Sequence, residues 1–597
     1  MISRTGLHLL YLVFLTLFCL PPLVGMGETA ASHGSLTVEQ QATHALNRLG
    51  YGPRPGEVAK VAEVGVEKWI LRQLDPRKIP DQSAETAIAA FTKLRIPSSD
   101  LVAAYQTEIR ARRLVQAQQS KMDKAEGTMA SAEAGVDANR KPSQERQAAR
   151  LMVGETLGEL MHAKLTRAVM SERQLEEVLV DFWFNHFNVD ARKKLVRATI
   201  SDYEQNVIRP NVWGSFRDLL GATAQSSSML VYLDNFRSSR AYKPGELEKR
   251  MIRRAQADLL GEEVANAAPP PTRGLNENYG RELLELHTLG VEGGYTQKDV
   301  QEVARAFTGW TIEQRTGEFI FRQRQHDDGK KVILGKKFAS GGGRRDGEKV
   351  LDLLAGHPAT AHHLAYKLCQ RFVADEPPAE LVQRVAQAFL RSQGDLRTTY
   401  QALFLDPEFF DPKYYGAKSK SPFEYVASSL RATDAQLTEV VRWPGRLSLH
   451  AVEAGAVLGR GGERLAKLKR KTVLLHLVDM GQPLYGWAPP TGFSEDSTTW
   501  IGSGALVARL NFALALSAGE VPDAHIDVRH LLGDAQTDDP DGTVDAIAEN
   551  LLAGGLSDST RRILLLQGGK GVESNHAVMQ PAQVVALLLG SPEFQRR

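Results

Sequence analysis

The sequence predicts a mainly α-helical protein: a large multi-helix domain with a small β-hairpin and two flexible insertions. Three observations carry that expectation. Apolar residues recur three and four apart along most of the 597 residues, the spacing that lines one face of a helix. Strand-type sequence is confined to one short stretch, Glu318–Phe338. A composition of 42% hydrophobic and 24% charged residues is an ordinary globular balance with material for a large core. The net charge of +2 gives no general attraction for polyanions, so no nucleic-acid partner is expected.

At the start of the chain, Arg4 precedes an apolar run, Leu7–Leu20; Pro21 and Pro22 break it, and the small residues of "GMGETAAS" follow. This is the order of a secretion signal, and the run is shorter than the ~20 residues that span a bilayer. Residues 1–31 are therefore expected to be a signal peptide, and the protein to be exported, periplasmic or extracellular. The alternative is an uncleaved anchor in the inner membrane. No later stretch is long and apolar enough for a transmembrane helix. Without the signal one cysteine remains, Cys369. It cannot form a disulfide within its chain, and it sits in an apolar helical pattern as a small buried filler.

From residue 32 to 597 the pattern reads as one helical domain. "TVEQQATHALNRLGYGP" starts on a Thr37 cap and stops at Gly50, Gly52 and Pro53. "EVAKVAEVGVEKWILRQL" continues the helical spacing, and a polar helix covers Leu101–Met122. Residues 123–145, rich in Ala, Gly, Ser and charge, and 238–273, which include "AAPPPTRG", read as insertions. "GEFIFRQ" and "KKVILGKKF" flank the turn residues "HDDGK" and read as a β-hairpin. Helices resume from Glu348.

Four stretches could carry chemistry. In "LEEVLVDFWFNHFNVD" the apolar face Leu175, Val178, Leu179, Phe182 and Trp183 also holds His186, which must be hydrogen-bonded there or bind something. In "GRELLELHTLG" a continuous helix to Gly290 places Glu282 and His287 among the leucines, about 140° apart. The di-metal helix pattern needs Glu and His three apart, whereas Glu285 is followed at that distance by Thr288. Any site would thus need other elements, with His186, Asn276 and Asn278 as companions. Arg281 and Glu285 are placed to pair, and Thr296 with Asp299 forms a capping box for the next helix. His326 and Asp327 sit beside a Gly turn. Tyr485, Trp487, Phe493 and Trp500 interleave with Pro and Gly, as a ligand surface or as plugs that pin a loop to the core. The phosphate-loop, dinucleotide, His-Glu-x-x-His and Gly-x-Ser-x-Gly signatures are absent.

In order, "HALNRLGYGP", "FWFNHFNV", "SSSMLVYLDN", "NENYGRELLELHTLGV", "YTQKDVQEVARAFTGW", "HDDGKKVILG", "HPATAHHLAYKLCQRFV", "SPFEYVASSLRA" and "GQPLYGWAPPTGF" resemble the bacterial family called domain of unknown function 1800. Leu275 stands where that family usually has proline, and Gly280 where it usually has alanine. The resemblance implies a helical, exported protein with no assigned activity. It also implies a second exported protein, encoded nearby, as partner. Its motif residues here are His186, Asn276, Glu277, Asn278, Arg281, Glu282, His326 and Asp327.

Two functional readings stay open. One is a cell-envelope protein that binds a partner protein or a glycan, with Asn276, Asn278, Arg281, Tyr485, Trp487 and Trp500 as the binding residues. The other is a metal-assisted hydrolase or other enzyme. Its catalytic candidates are His186, Glu282, His287, His326 and Asp327. Of these, His186, Glu282, His326 and Asp327 are the candidate ligands of a divalent metal.

Overall fold

The computed structural model describes residues 34–126, 144–240, 274–438, 470–533, 539–568 and 580–597. The expected signal segment and most of both expected insertions lie outside these residues. Within them helices dominate, as expected, and the β structure is three two-stranded ribbons. No helix among the described residues is long and apolar enough to cross a membrane.

Helix α1, Val38–Arg48, begins where Thr37 accepts a hydrogen bond from the Gln40 amide (3.2 Å) while the Gln40 side chain accepts one from the Thr37 amide (3.0 Å). Each side chain satisfies a donor that the first turn leaves free. Helices α2, Ser98–Glu126, α3, Gln144–Met170, and α4, Gln174–His186, follow. Helix α4 is buried on nearly every side: Leu175, Leu179 and Trp183 are 0% exposed. Each such side chain contributes about 1.5–3 kcal/mol by leaving water.

Helices α5, Asn278–Glu285, and α6, Gln297–Ala306, form an αα-hairpin. Gly290 and Gly294 supply left-handed backbone at its joint (φ 82° and 80°). The two backbones touch at Gly280, where a Cβ would stand 3.0 Å from the Ala304 nitrogen. Thr296 and Asp299 cap α6 reciprocally, and the second Asp299 oxygen accepts from the Leu334 amide (2.7 Å).

The strand-type stretch does form strands, with a pairing the sequence reading did not anticipate. Strand β1, Trp310–Ile312, pairs antiparallel with β2, Phe319–Phe321, in the register Trp310↔Phe321. Strands β3, Lys331–Ile333, and β4, Lys336–Phe338, close a tight hairpin of their own. "GEFIFRQ" therefore turns back on the preceding strand instead of crossing "HDDGK". A 3₁₀ turn at Gln323–Gln325 and the complete burial of His326 divert the chain between the two ribbons.

Helices α7, Pro358–Phe372, α8, Pro422–Ala432, α9, Val473–Asp479, α10, Ser503–Ser517, and α11, Pro581–Gly590, complete the frame. One continuous apolar cluster joins residues from Ala42 to Phe594. Cys369 lies inside it, fully buried, and burial pushes its thiol pKa well up, as fits an inert filler.

Candidate functional site

Helix α4 ends with the ring of His186 turned into the core. Its Nε2 donates to the His287 carbonyl (3.2 Å), and its Nδ1 is buried without a hydrogen-bond partner among the described residues. The rings of His287 and His363 stand 6.2 and 6.3 Å from it, and Phe187 packs edge-on at 4.6 Å. His363, on α7, donates from Nε2 to the Leu286 carbonyl (3.2 Å). The structure thus brings His186 and His287 together as proposed companions, and adds a third imidazole that sequence reasoning missed. All three stay neutral. Burial, with the Lys367 ammonium nearby, holds His186 well below the usual imidazole value, His287 at about 3 and His363 at about 4.

Glu282 does not share that environment. Helix α5 stops at Glu285, and the chain loosens into a wide turn, with His287 N–H bonding the Glu282 carbonyl (3.0 Å) and Leu289 N–H the Leu284 carbonyl (2.9 Å). These bonds span five residues, so the 100° step assumed for a continuous helix fails after Glu285. His287 turns inward while Glu282 stays half-buried at the rim, where its carboxylate makes no hydrogen bond or ion pair among the described residues. Burial and the neighbouring Glu285 raise its pKa against the pull of Arg281. Arg281 itself pairs with Glu277 (3.5 Å) and the Gln297 side chain (2.9 Å), not with Glu285 as expected. Glu285 instead accepts from the Tyr295 hydroxyl (3.4 Å).

A polar junction adjoins Tyr232, the residue on which both Glu282 and Asp190 act. Asp190 holds Arg192 (2.8 Å), while Lys193 and Lys194 each reach Asp234 (3.0 Å). Burial pushes the Tyr232 phenol up, and Asp190 and Glu282 add to the shift. Asn276 donates to the Asp234 carbonyl (3.3 Å), and its own side chain accepts from the Asn278 amide (3.0 Å), leaving the Asn278 side chain exposed. Lys194, Asp234 and Tyr485 have φ of 47°, 57° and 58°. Left-handed backbone at a non-glycine residue costs about 1–3 kcal/mol, and such residues cluster at functional surfaces.

The aromatic loop belongs to this junction largely as a plug. Asn185 donates to the Phe493 carbonyl (2.9 Å) and accepts from the Phe493 amide (2.7 Å). Asn188 donates to the carbonyls of Trp487 (3.1 Å) and Pro489 (2.8 Å). Tyr485 is buried and donates its hydroxyl to Glu204. Trp500 is buried and donates to the Ser494 carbonyl (3.2 Å). Trp487 alone of the three remains partly open. The two asparagines of "FNHFN" thus read the loop backbone, a role their position flanking His186 concealed.

His326 and Asp327 lie in a separate set. His326 Nδ1 donates to the Thr308 carbonyl (2.8 Å), and Nε2 faces the buried Asp346 at 3.4 Å. Asp346 also binds the buried Lys331 ammonium (2.7 Å). Asp327 grips Arg305 with both oxygens (2.9 Å each), which holds its pKa at about 2. Among the described residues, His186 shares no hydrogen-bond or ring partner with His326 or Asp327. Among the described residues no three His, Cys, Asp or Glu side chains gather as ligands for one ion.

The neutral histidines make a pH prediction. Their folded pKa values lie below the ordinary 6.5, so below that pH the unfolded chain takes up protons the native protein refuses. Stability should therefore be intact above pH 6.5 and fall as pH drops toward about 4. Urea unfolding across this range should show more than one proton taken up, and a flat profile would count against neutral burial.

A large, mainly helical frame with three short β ribbons, in which His186 at the end of α4 bonds the carbonyl of His287 just past α5, defines the class of protein. The chain belongs to the family described as a protein of unknown function, DUF1800, whose model matches residues 44–596. No curated protein and no solved structure matches it.

Proposed function

We propose that this is an exported protein of the cell envelope that binds a partner protein or a glycan at the junction adjoining Tyr232. The observations that carry the reading are a carboxylate, Glu282, without a partner among the described residues, and strained non-glycine backbone at the ion-paired Lys194 and Asp234, linked to it through Tyr232. Strain of this kind persists only where the surroundings over-determine it. Here the ion pairs to Asp234 and the bonds from Asn188 supply that hold. The result is a stiff polar surface on which Asn278, Ala488 and Pro489 are exposed and Trp487 is half-open, one that loses little freedom on binding. The basic, apolar and small-residue order of residues 4–31 supports export. A metal-assisted hydrolase would call for His186, Glu282 and His326 around one cleft, and the separate partner sets of the two histidines weigh toward binding.

A photoreactive residue at Asn278, in the full chain expressed in its native host, tests the proposal. We expect a discrete adduct that Glu282→Arg abolishes and that is absent when the probe stands at Val64, which is 55% exposed. A soluble glycan that suppresses the adduct would identify the glycan arm. The same adduct at both positions, or one indifferent to Glu282→Arg, would sink the proposal.

A further inference from the structure

A second site lies away from this junction. A cavity of 270 Å³ opens between α1, the segment 415–420, residues 551–555 and the last residues of the chain. Its wall includes Thr43, His44, Asn47, Tyr415, Lys420 and Gly554. Lys420 is only 5% exposed, yet its ammonium has no ion pair and no side-chain hydrogen bond among the described residues. It rests 4.0 Å over the Phe594 ring. A buried cation without a counter-ion is expensive, and a ring face offsets only about 0.5–2 kcal/mol of that.

The charged neighbours do not supply the missing anion. Glu424 is engaged by Arg371 (2.6 Å) and Arg597 (2.7 Å). Glu593 gives one oxygen to the hydroxyls of Ser557 (2.5 Å) and Thr560 (2.7 Å) and keeps the other buried without a hydrogen bond among the described residues, but the carboxylate that acts on the Lys420 amine is Glu424. Arg509 donates to the Lys420 carbonyl (2.6 Å) and adds positive charge, as do Arg596 and Arg597 in the cavity wall. His44, deeply buried and held neutral, gives no countercharge. The Asn47 side-chain amide also faces the cavity with no partner among the described residues.

We propose that this cavity binds a small oxyanion, the carboxylate or sulfate-like group of a compact ligand, with Lys420 as its cationic anchor and Asn47 as a neutral donor. Charge-assisted bonds of this kind are about twice as strong as neutral ones, and the cavity is at the small end of ligand sites. The inference is independent of the junction adjoining Tyr232.

Calorimetric titration of the intact chain with sodium sulfate and with sodium acetate tests it, since neither anion changes charge between pH 6 and 8.5. We expect saturable binding of at least one, and the tighter names the ligand class. Burial, opposed by Glu424 and assisted by Arg509 and Arg597, brings the Lys420 amine down to about 7. Because only the ammonium form binds, affinity should fall about thirtyfold from pH 6 to 8.5. Lys420→Met should abolish binding and leave the melting temperature unchanged or higher, because methionine fills the same space without an unpaired charge. Asn47→Ala should weaken binding severalfold, and serves if Lys420→Met does not fold. Absence of saturable binding by either anion, an affinity unchanged in Lys420→Met, or an affinity indifferent to pH would overturn the proposal.

Discussion

A Glu424→Ala chain should lose about 3–5 kcal/mol of stability, the cost of stripping one partner from a buried ion pair. Glu424 opens α8, where its Oε2 accepts from the Ser421 amide (2.8 Å) and completes the capping box. Its Oε1 lies 2.6 Å from Arg371 and 2.7 Å from Arg597. Alanine would leave the two guanidiniums close together in a dry interior. Glu495 (3.4 Å) and Asp181 (3.7 Å) would remain near Arg371, at longer range. Urea unfolding with an unchanged slope is the measurement, and a loss below 1 kcal/mol would show that solvent reaches the pair. Burial alone would raise the Glu424 carboxyl, but the two arginines overcome it and hold it at about 2. Its stabilisation is therefore complete above the ordinary carboxylate value of 4.5 and is lost as pH falls from there through about 2. That window lies mostly below the one in which the histidines act, so the two effects separate in an acid titration of wild type and variant.

Gly492→Ala should cost about 2–5 kcal/mol, combining left-handed backbone at about 1–2 kcal/mol with overpacking at about 1–3 kcal/mol. Gly492 has φ of 71°, and a Cβ there would stand 2.3 Å from the Asn185 carbonyl oxygen and 2.5 Å from its side-chain oxygen. The aromatic loop could not keep both its turn and its bonds to the end of α4. Trp500 and Trp487 should then become more accessible to an aqueous quencher, while far-UV circular dichroism changes little. An alanine variant with wild-type melting and quenching would contradict the packing of this loop.

Features set by neighbours in sequence were legible. Thr37 and the Thr296–Asp299 pair are caps because a cap is written in four consecutive residues. His186 is buried because the helical spacing of α4 is regular to its end. Glu282 was misplaced because a projection through Gly290 presumes a helix that in fact loosens after Glu285. The ribbon pairing was missed for a related reason: three-residue strands carry too little pattern to choose a partner, and burial of His326 decided it. The candidate set was scattered, since His326 and Asp327 are taken by Thr308, Asp346 and Arg305. Nor could the sequence disclose that Arg371, Glu424 and Arg597 meet, because they come from three elements far apart along the chain. Lys420 stands in "AKSKSPFEY", where nothing in the pattern marks a lysine for burial. Only folding places Phe594 against it.

Asp299 carries one last consequence. One of its oxygens caps the first turn of α6, and the other holds the Leu334 amide at the tip of the β3–β4 hairpin. Fraying of that turn and opening of the ribbon therefore draw on the same carboxylate. Two elements that would otherwise loosen one at a time are welded into a single cooperative unit.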